Sequence, residues 1–415
     1  MESAHEKEHL TNGHDHGVLD GDAAGLKRVL YKRKIPLRTR IVWRIEDFVD
    51  DIDWMHILCK TILFSYFFFV CYIAWQVLPV RGHWTRPGQF DKIPIVYQTF
   101  GNYFSKYEGF AQCDIKATDL YHPPTFDLEG SYSHGGYCSR RADLLESMSN
   151  GGRIGFDAPY TAADCHYRWY TIDEICMILE RFDAVVFVGD SSLQNIYNGF
   201  NILLRQDLAT GALKSWEMDG NLLDSCYCDA QFNTPACAEH FVTSSHEVNE
   251  NTPSIGSPYT CSRFPHAMLR IEGSPASGKI YEQFKKLVLR VPRSNYKPVP
   301  VVHSLAPGAF SLDQASKSLH EFLDLADASK RKTPMLWVGP TAAGHIEIKN
   351  RKGNQEIWDY DRGMAEDARK NDIEVLKMWN MTVQASSFDG IGFGEKVAIT
   401  QAVMVINWLS RLESS

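Results

Sequence analysis

The residues whose types and spacing could do chemistry centre on Ser191. An apolar run, Ala184-Val185-Val186-Phe187-Val188, is long enough for a buried strand and stops at Gly189-Asp190-Ser191, after which Leu193, Ile196, Tyr197 and Phe200 recur at helical spacing. A serine at a strand-to-helix turn aims its hydroxyl out of the carboxyl edge of a sheet, where open α/β folds bind ligands. There it sits beside helix-start N–H groups that can stabilise an oxyanion. The competing reading is that Asp190 or Ser191 only caps the helix, because Ser and Asp are the preferred capping residues. A serine nucleophile needs a base, and the base needs an orienting acid. Three residues fall where strands should end on the same edge: His303 after Val301-Val302, His345 after Trp337-Val338-Gly339, and Asp389 in the loop before the last helix. Each histidine taken alone is more simply explained as a hydrogen-bonded structural residue. Together with the acid they point to acyl-transfer chemistry.

The elements that must position these residues alternate. A helical pattern over 171–181 leads into the strand at 184, and further short apolar strands are expected near 213–216, 267–271, 300–305 and 335–338. Helical patterns lie between them at 279–290, 312–329 and 360–378, and Val397, Ile399, Ala402, Val403, Ile406 and Leu409 form an apolar face on a final helix over 394–412. Strands alternating with helices predict an α/β fold, a mostly parallel sheet covered on both faces. A long insert, 220–262, holds four cysteines.

At 415 residues with 44% hydrophobic content the chain can bury a large core, and its net charge of -8 argues against a nucleic-acid partner. Eight of the ten cysteines, at 113, 138, 165, 176, 226, 228, 237 and 261, fall in the middle of the chain, which suits a disulfide framework in an oxidising compartment. Their pairing is not legible from spacing. Cys226-Tyr227-Cys228 with Cys237 lacks the paired CxxC units of a zinc ribbon, so no metal and no cofactor is expected.

Residues 1 to about 25 are polar and carry no apolar period, so they are read as a disordered tail in which His14-Asp15-His16 is merely solvated. The stretch 27–44 is basic without a single acid, and 57–78 is nearly all apolar. That combination predicts a signal anchor with its basic flank in the cytosol and everything after about Val80 on the luminal side. The expected organisation is a cytosolic tail over 1–54, a transmembrane anchor over 55–79, a stem over 80–110 and a luminal domain over 111–415. Asn380-Met381-Thr382 is a candidate glycosylation site on that side.

Gly189-Asp190-Ser191 after a strand, the following Ser192-Leu193-Gln194-Asn195, and the late Asp389-Gly390 before a C-terminal helix resemble the SGNH (GDSL-type) hydrolases. More closely, the chain resembles their PC-esterase branch, the trichome-birefringence-like and fungal capsule-type polysaccharide O-acetyltransferases. The resemblance covers roughly 110–412, and the segments Trp337-Val338-Gly339-Pro340-Thr341-Ala342-Ala343-Gly344-His345 and 402–409 are similar to fungal members of the group. It implies an SGNH-like three-layer sandwich preceded by one transmembrane helix, in a single-pass type II membrane protein of the Golgi. It also implies an acyl donor, with acetyl the expected group, and a glycan acceptor. Ser191 would take the acyl group, with Gly189, Asp190 and Ser192 supporting it and the Ser191 N–H in the oxyanion hole. The family's last block is Asp-x-x-His, whereas this chain reads Asp389-Gly390-Ile391-Gly392, and no Gly-x-Asn block is evident. With its histidine missing, His345, or else His303, must act as base with Asp389 orienting it.

Three readings follow: an active O-acyltransferase or esterase; a catalytically impaired descendant that binds a glycan or a partner enzyme through the same cleft; and a structural Golgi protein that positions other enzymes. Trp358, Tyr360 and Trp379 could stack on sugars, although their simpler explanation is as ordinary core or surface aromatics.

Overall fold

The computed structural model describes residues 54–77, 102–124, 136–251, 259–261, 264–289, 297–346 and 353–413. The polar tail, its basic stretch and the greater part of the expected stem lie outside the described residues. The chain divides into two units, Met1–Val96 and Tyr97–Ser415.

In the first unit a helix, α1, runs over Trp54–Val77. Its side chains are described for 58–72, and there Leu58, Ile62, Phe64, Tyr66, Phe67, Phe68 and Phe69 are all exposed, Phe64 by 66%. Among the described residues no helix is long and apolar enough to cross a membrane.

The second unit is built on a five-stranded sheet. Its strands are β1 (Val185–Gly189), β2 (His266–Arg270), β3 (Val301–Ser304), β4 (Met335–Val338) and β5 (Glu374–Leu376), in the order β2-β1-β3-β4-β5 with every pair parallel. Parallel strands buried on both faces are β-branched and apolar throughout rather than alternating, and Val185-Val186-Phe187-Val188-Gly189 is buried at every position. One face is covered by α2 (Arg141–Asn150), α3 (Ile172–Leu179), α4 (Ser191–Arg205) and the C-terminal helix α8 (Glu395–Ser410); Val185, Phe187, Met268, Val302 and Leu336 point to it. The opposite face is covered by α5 (Gly278–Val288), α6 (Leu312–Ala328) and α7 (Asn354–Lys370), packed on Val186, Val188, Leu269, Val301 and Trp337. Helix, sheet and helix make the three layers that the alternating pattern predicts.

Local chemistry sets several boundaries. Thr171 with Glu174 and Ser311 with Gln314 form capping boxes that start α3 and α6, each side chain satisfying the other residue's backbone N–H. The helical pattern expected over 360–378 instead stops at Lys370, because Asn371-Asp372 turns the chain with Asp372 at φ 57, and Glu374–Leu376 becomes the fifth strand. The strand expected near 213–216 is not one. Leu213 makes only an isolated antiparallel bridge to Phe241 and a 3-10 turn follows at Ser215–Glu217. β1 is paired on both sides, by β2 and β3, and β2 is bridged at its Ala267 by Ser244, so the apolar residues of that segment pack beside the sheet instead.

The cysteines pair as Cys113–Cys228, Cys138–Cys165, Cys176–Cys261 and Cys226–Cys237, tying the lead-in and the 220–262 insert to α3 and to each other. α4 and α8 approach so closely that a methyl group added at Gly199 would lie 2.2 Å from the Ala398 carbonyl oxygen. Gly199→Ala must therefore push the two helices apart. It is expected to lower stability by about 1–3 kcal/mol, the usual cost of overpacking a core, read from denaturant unfolding. An unchanged midpoint would show that this helix pair is looser than described.

Candidate functional site

Ser191 is the first residue of α4, directly after the central strand β1, and its side chain is exposed at the carboxyl edge of the sheet. Gly189 supplies the close approach that the turn needs, since a methyl group there would meet the Ser304 carbonyl oxygen of β3 at 2.1 Å. Asp190, only 6% exposed, is the N-cap. One oxygen accepts the Ser192 N–H at 2.9 Å, and the other accepts the Ala306 N–H at 2.7 Å from the loop after β3. Burial raises the Asp190 pKa, and the N–H donors from Ala306 and Ser192 pull against that rise. Because Asp190 does the capping, the Ser191 hydroxyl is not consumed by it. It makes no side-chain hydrogen bond among the described residues. Ser192, half-buried, gives its N–H to Asp190, so that donor belongs to the cap rather than to an oxyanion.

His345 lies in the loop after β4, exposed, its ring packed edge-on to Phe156 with centroids 5.1 Å apart. Its loop is joined to the Asp389 loop by Gly344, whose N–H donates to the Gly390 carbonyl at 2.9 Å. Asp389 uses Oδ1 to accept the N–H groups of Ile391 at 2.8 Å and Gly392 at 2.6 Å, holding its own turn. The histidine and the acid are thus on adjoining loops. β4 stands two strand spacings, about 10 Å, from β1. No histidine hydrogen-bonds Ser191 among the described residues.

His303 sits in the middle layer. It is fully buried in β3 with its side chain on the α6 face, its Nε2 3.3 Å from Ser318 Oγ and its ring beside Phe322. α4 and Ser191 lie against the other face. Burial drives the His303 pKa down to about 3, so its imidazole is neutral.

Tyr360 is a core residue, 5% exposed, its hydroxyl donating to the Leu305 carbonyl at 2.7 Å. Trp358 and Trp379 form an edge-to-face pair at 4.9 Å, with Lys377 Nζ 5.5 Å from the Trp358 ring centre and 3.0 Å from Asp361. At the proposed glycosylation triplet, the Asn380 side-chain amide donates to the Ser149 carbonyl at 3.0 Å and Thr382 is fully buried, so a glycan there would require the first contact to be given up.

Two polar features of this edge escape sequence reasoning. One is the Lys377–Asp361 pair, whose members lie in segments read as a single helix. The other is Arg270, the exposed last residue of β2, which stands level with Gly189 in the β1–β2 register. A charged residue ending an otherwise apolar strand was its only signal. No protein-family model matches the chain, and no curated protein matches it.

Proposed function

We propose that the chain is a membrane-anchored, luminal O-acyltransferase or esterase of the Golgi that acts on a glycan through Ser191. The supporting observation is an exposed serine at the first position of a helix that follows the central strand, with the neighbouring Asp190 doing the capping. In the reaction the base takes the Ser191 Oγ proton as Oγ bonds to the acyl carbon, and passes it to the donor's leaving group as the acyl–donor bond breaks. A sugar hydroxyl or water then bonds to the acyl carbon and gives its proton to the base, which returns it to Ser191 Oγ as the acyl–Oγ bond breaks. His345 is the proposed base, since its loop adjoins Asp389 while His303 faces the opposite helical layer. The sequence resemblance to the PC-esterase group and the outward apolar side chains of α1 support the glycan and membrane parts of this reading.

The test is fluorophosphonate labelling of the full chain in detergent. Labelling lost in Ser191→Ala, with turnover of an aryl acetate falling at least 100-fold in both Ser191→Ala and His345→Ala, is expected. Wild-type turnover in His345→Ala would remove that base assignment. No labelling of folded protein would favour a second reading, a glycan- or partner-binding descendant that has lost catalysis. Its support is Gly392 where the family pattern has histidine, and it predicts glycan binding indifferent to Ser191→Ala.

A further inference from the structure

We infer that Arg270 binds an oxyanion group carried by the ligand of the Ser191 site, the carboxylate of an acidic glycan or the phosphate of an acyl donor. This rests on the reading of Ser191 as the acyl-accepting residue and specifies the charge of what it receives.

Arg270 is placed by register. Its Cα partner in β1 is Gly189, so it stands one strand spacing, about 5 Å, from the turn that carries Ser191. Side chains alternate along a strand, and His266 and Met268 point to the α4 face, His266 Nδ1 lying 2.7 Å from the Tyr197 hydroxyl. Arg270 shares that parity and emerges past the end of the core, on the face where α4 begins. Gly189 has no side chain to stand between them.

Arg270 also forms no ion pair among the described residues, in a chain that has 51 acids to 43 bases. Among the described arginines, Arg140, Arg141, Arg153, Arg168, Arg181, Arg205, Arg331, Arg362 and Arg411 each donate to a carboxylate or a carbonyl, whereas Arg270 and Arg369 do not. Arg369 closes α7, where the helix's own carbonyl end favours a positive charge. Arg270 has no such reason. Asp190, the nearest acid in the register, is turned inward onto Ser192 and Ala306, and Glu272 two residues on forms no ion pair with it among the described residues. The planar guanidinium therefore faces solvent with its donors available, in the geometry that receives a carboxylate or phosphate bidentately. It adds to the positive end of α4, so the two attract the same ligand charge.

The experiment uses the full chain in an uncharged detergent and reads binding directly. The probes are a fluorescent hexuronate trisaccharide, its neutral hexose counterpart, and inorganic phosphate as competitor. With an acidic glycan, wild type binds the hexuronate at least about tenfold more tightly than the neutral sugar, Arg270→Gln removes the preference, and Arg270→Lys retains part of it. With a phosphate-bearing donor, the two sugars bind alike while phosphate binds wild type and not Arg270→Gln. Anion binding that is the same in wild type and Arg270→Gln, or absent from both, overturns the proposal. Because binding is measured without turnover, a Ser191 inert to fluorophosphonate would sink the acyl-enzyme reading and leave the Arg270 result intact.

Discussion

Replacing Cys113 and Cys228 by alanine is expected to lower the unfolding free energy by about 5 kcal/mol, against about 3 kcal/mol for the Cys226 and Cys237 pair. The difference comes from the unfolded chain. The first bridge joins residues 115 apart and the second residues 11 apart, and closing a longer loop removes more conformational freedom from the denatured ensemble. Cys113 and Cys228 are half-buried, so little cavity is opened by their loss, whereas Cys226 and Cys237 are fully buried and their replacement adds a packing cost. Guanidinium unfolding of both double variants checks this. A smaller loss for the long bridge than for the short one would mean that residual structure in the unfolded state, or cavity cost, outweighs loop closure.

The second large effect is acid instability. His266 and His303 are both fully buried, and burial holds each pKa down to about 3 against an ordinary value near 6.5. A group whose folded pKa is depressed gives stability that is complete above its unfolded pKa and is lost as pH falls towards the folded one. The window is thus pH 6.5 down to about 3. At pH 4.5 each histidine should contribute a loss of roughly 2–3 kcal/mol, because the unfolded chain takes up a proton that the folded one refuses. Glu395, fully buried with its pKa raised by burial and then by Asp229 and Asp207, acts in the opposite sense: its contribution is present at low pH and lost as pH rises. The clean readout is therefore the difference in unfolding free energy between pH 7 and pH 4.5 for wild type and for His303→Gln. That difference should shrink by about 2–3 kcal/mol in the variant. An unchanged difference would mean that His303 protonates in the folded protein.

The local signals in the sequence were sufficient wherever a period and a terminator coincide. Five consecutive apolar residues ended by Gly189-Asp190-Ser191 specify a buried strand and a helix start, because strand burial and N-capping are both decided within a few residues. The same holds for the strands at 267–271, 300–305 and 335–338, and for α5, α6 and α8. The fifth strand was hidden because three residues after a turn, Glu374–Leu376, carry too little pattern to be separated from the helix before them. The apolar segment at 213–216 misled because short apolar runs look alike whether they pair with a sheet or pack beside one.

That the cysteines would pair could be read from their number, but the four pairings are contacts across 11 to 115 residues and exist only once the chain is folded. The site divides in the same way. That Ser191 and His345 lie at the carboxyl edge follows from strand ends legible in the sequence, whereas Asp389 is brought there by the Gly344 N–H bonding the Gly390 carbonyl. That His303 faces the other layer follows from the register of β3 on β1, because one residue's shift reverses every side chain. That Asp190 rather than Ser191 does the capping was left open by composition, and was decided by the Ala306 N–H arriving from 116 residues away to hold the second carboxylate oxygen. Arg270 beside Gly189 is likewise a fact of parallel pairing, because strands that are neighbours in the sheet are far apart along the chain.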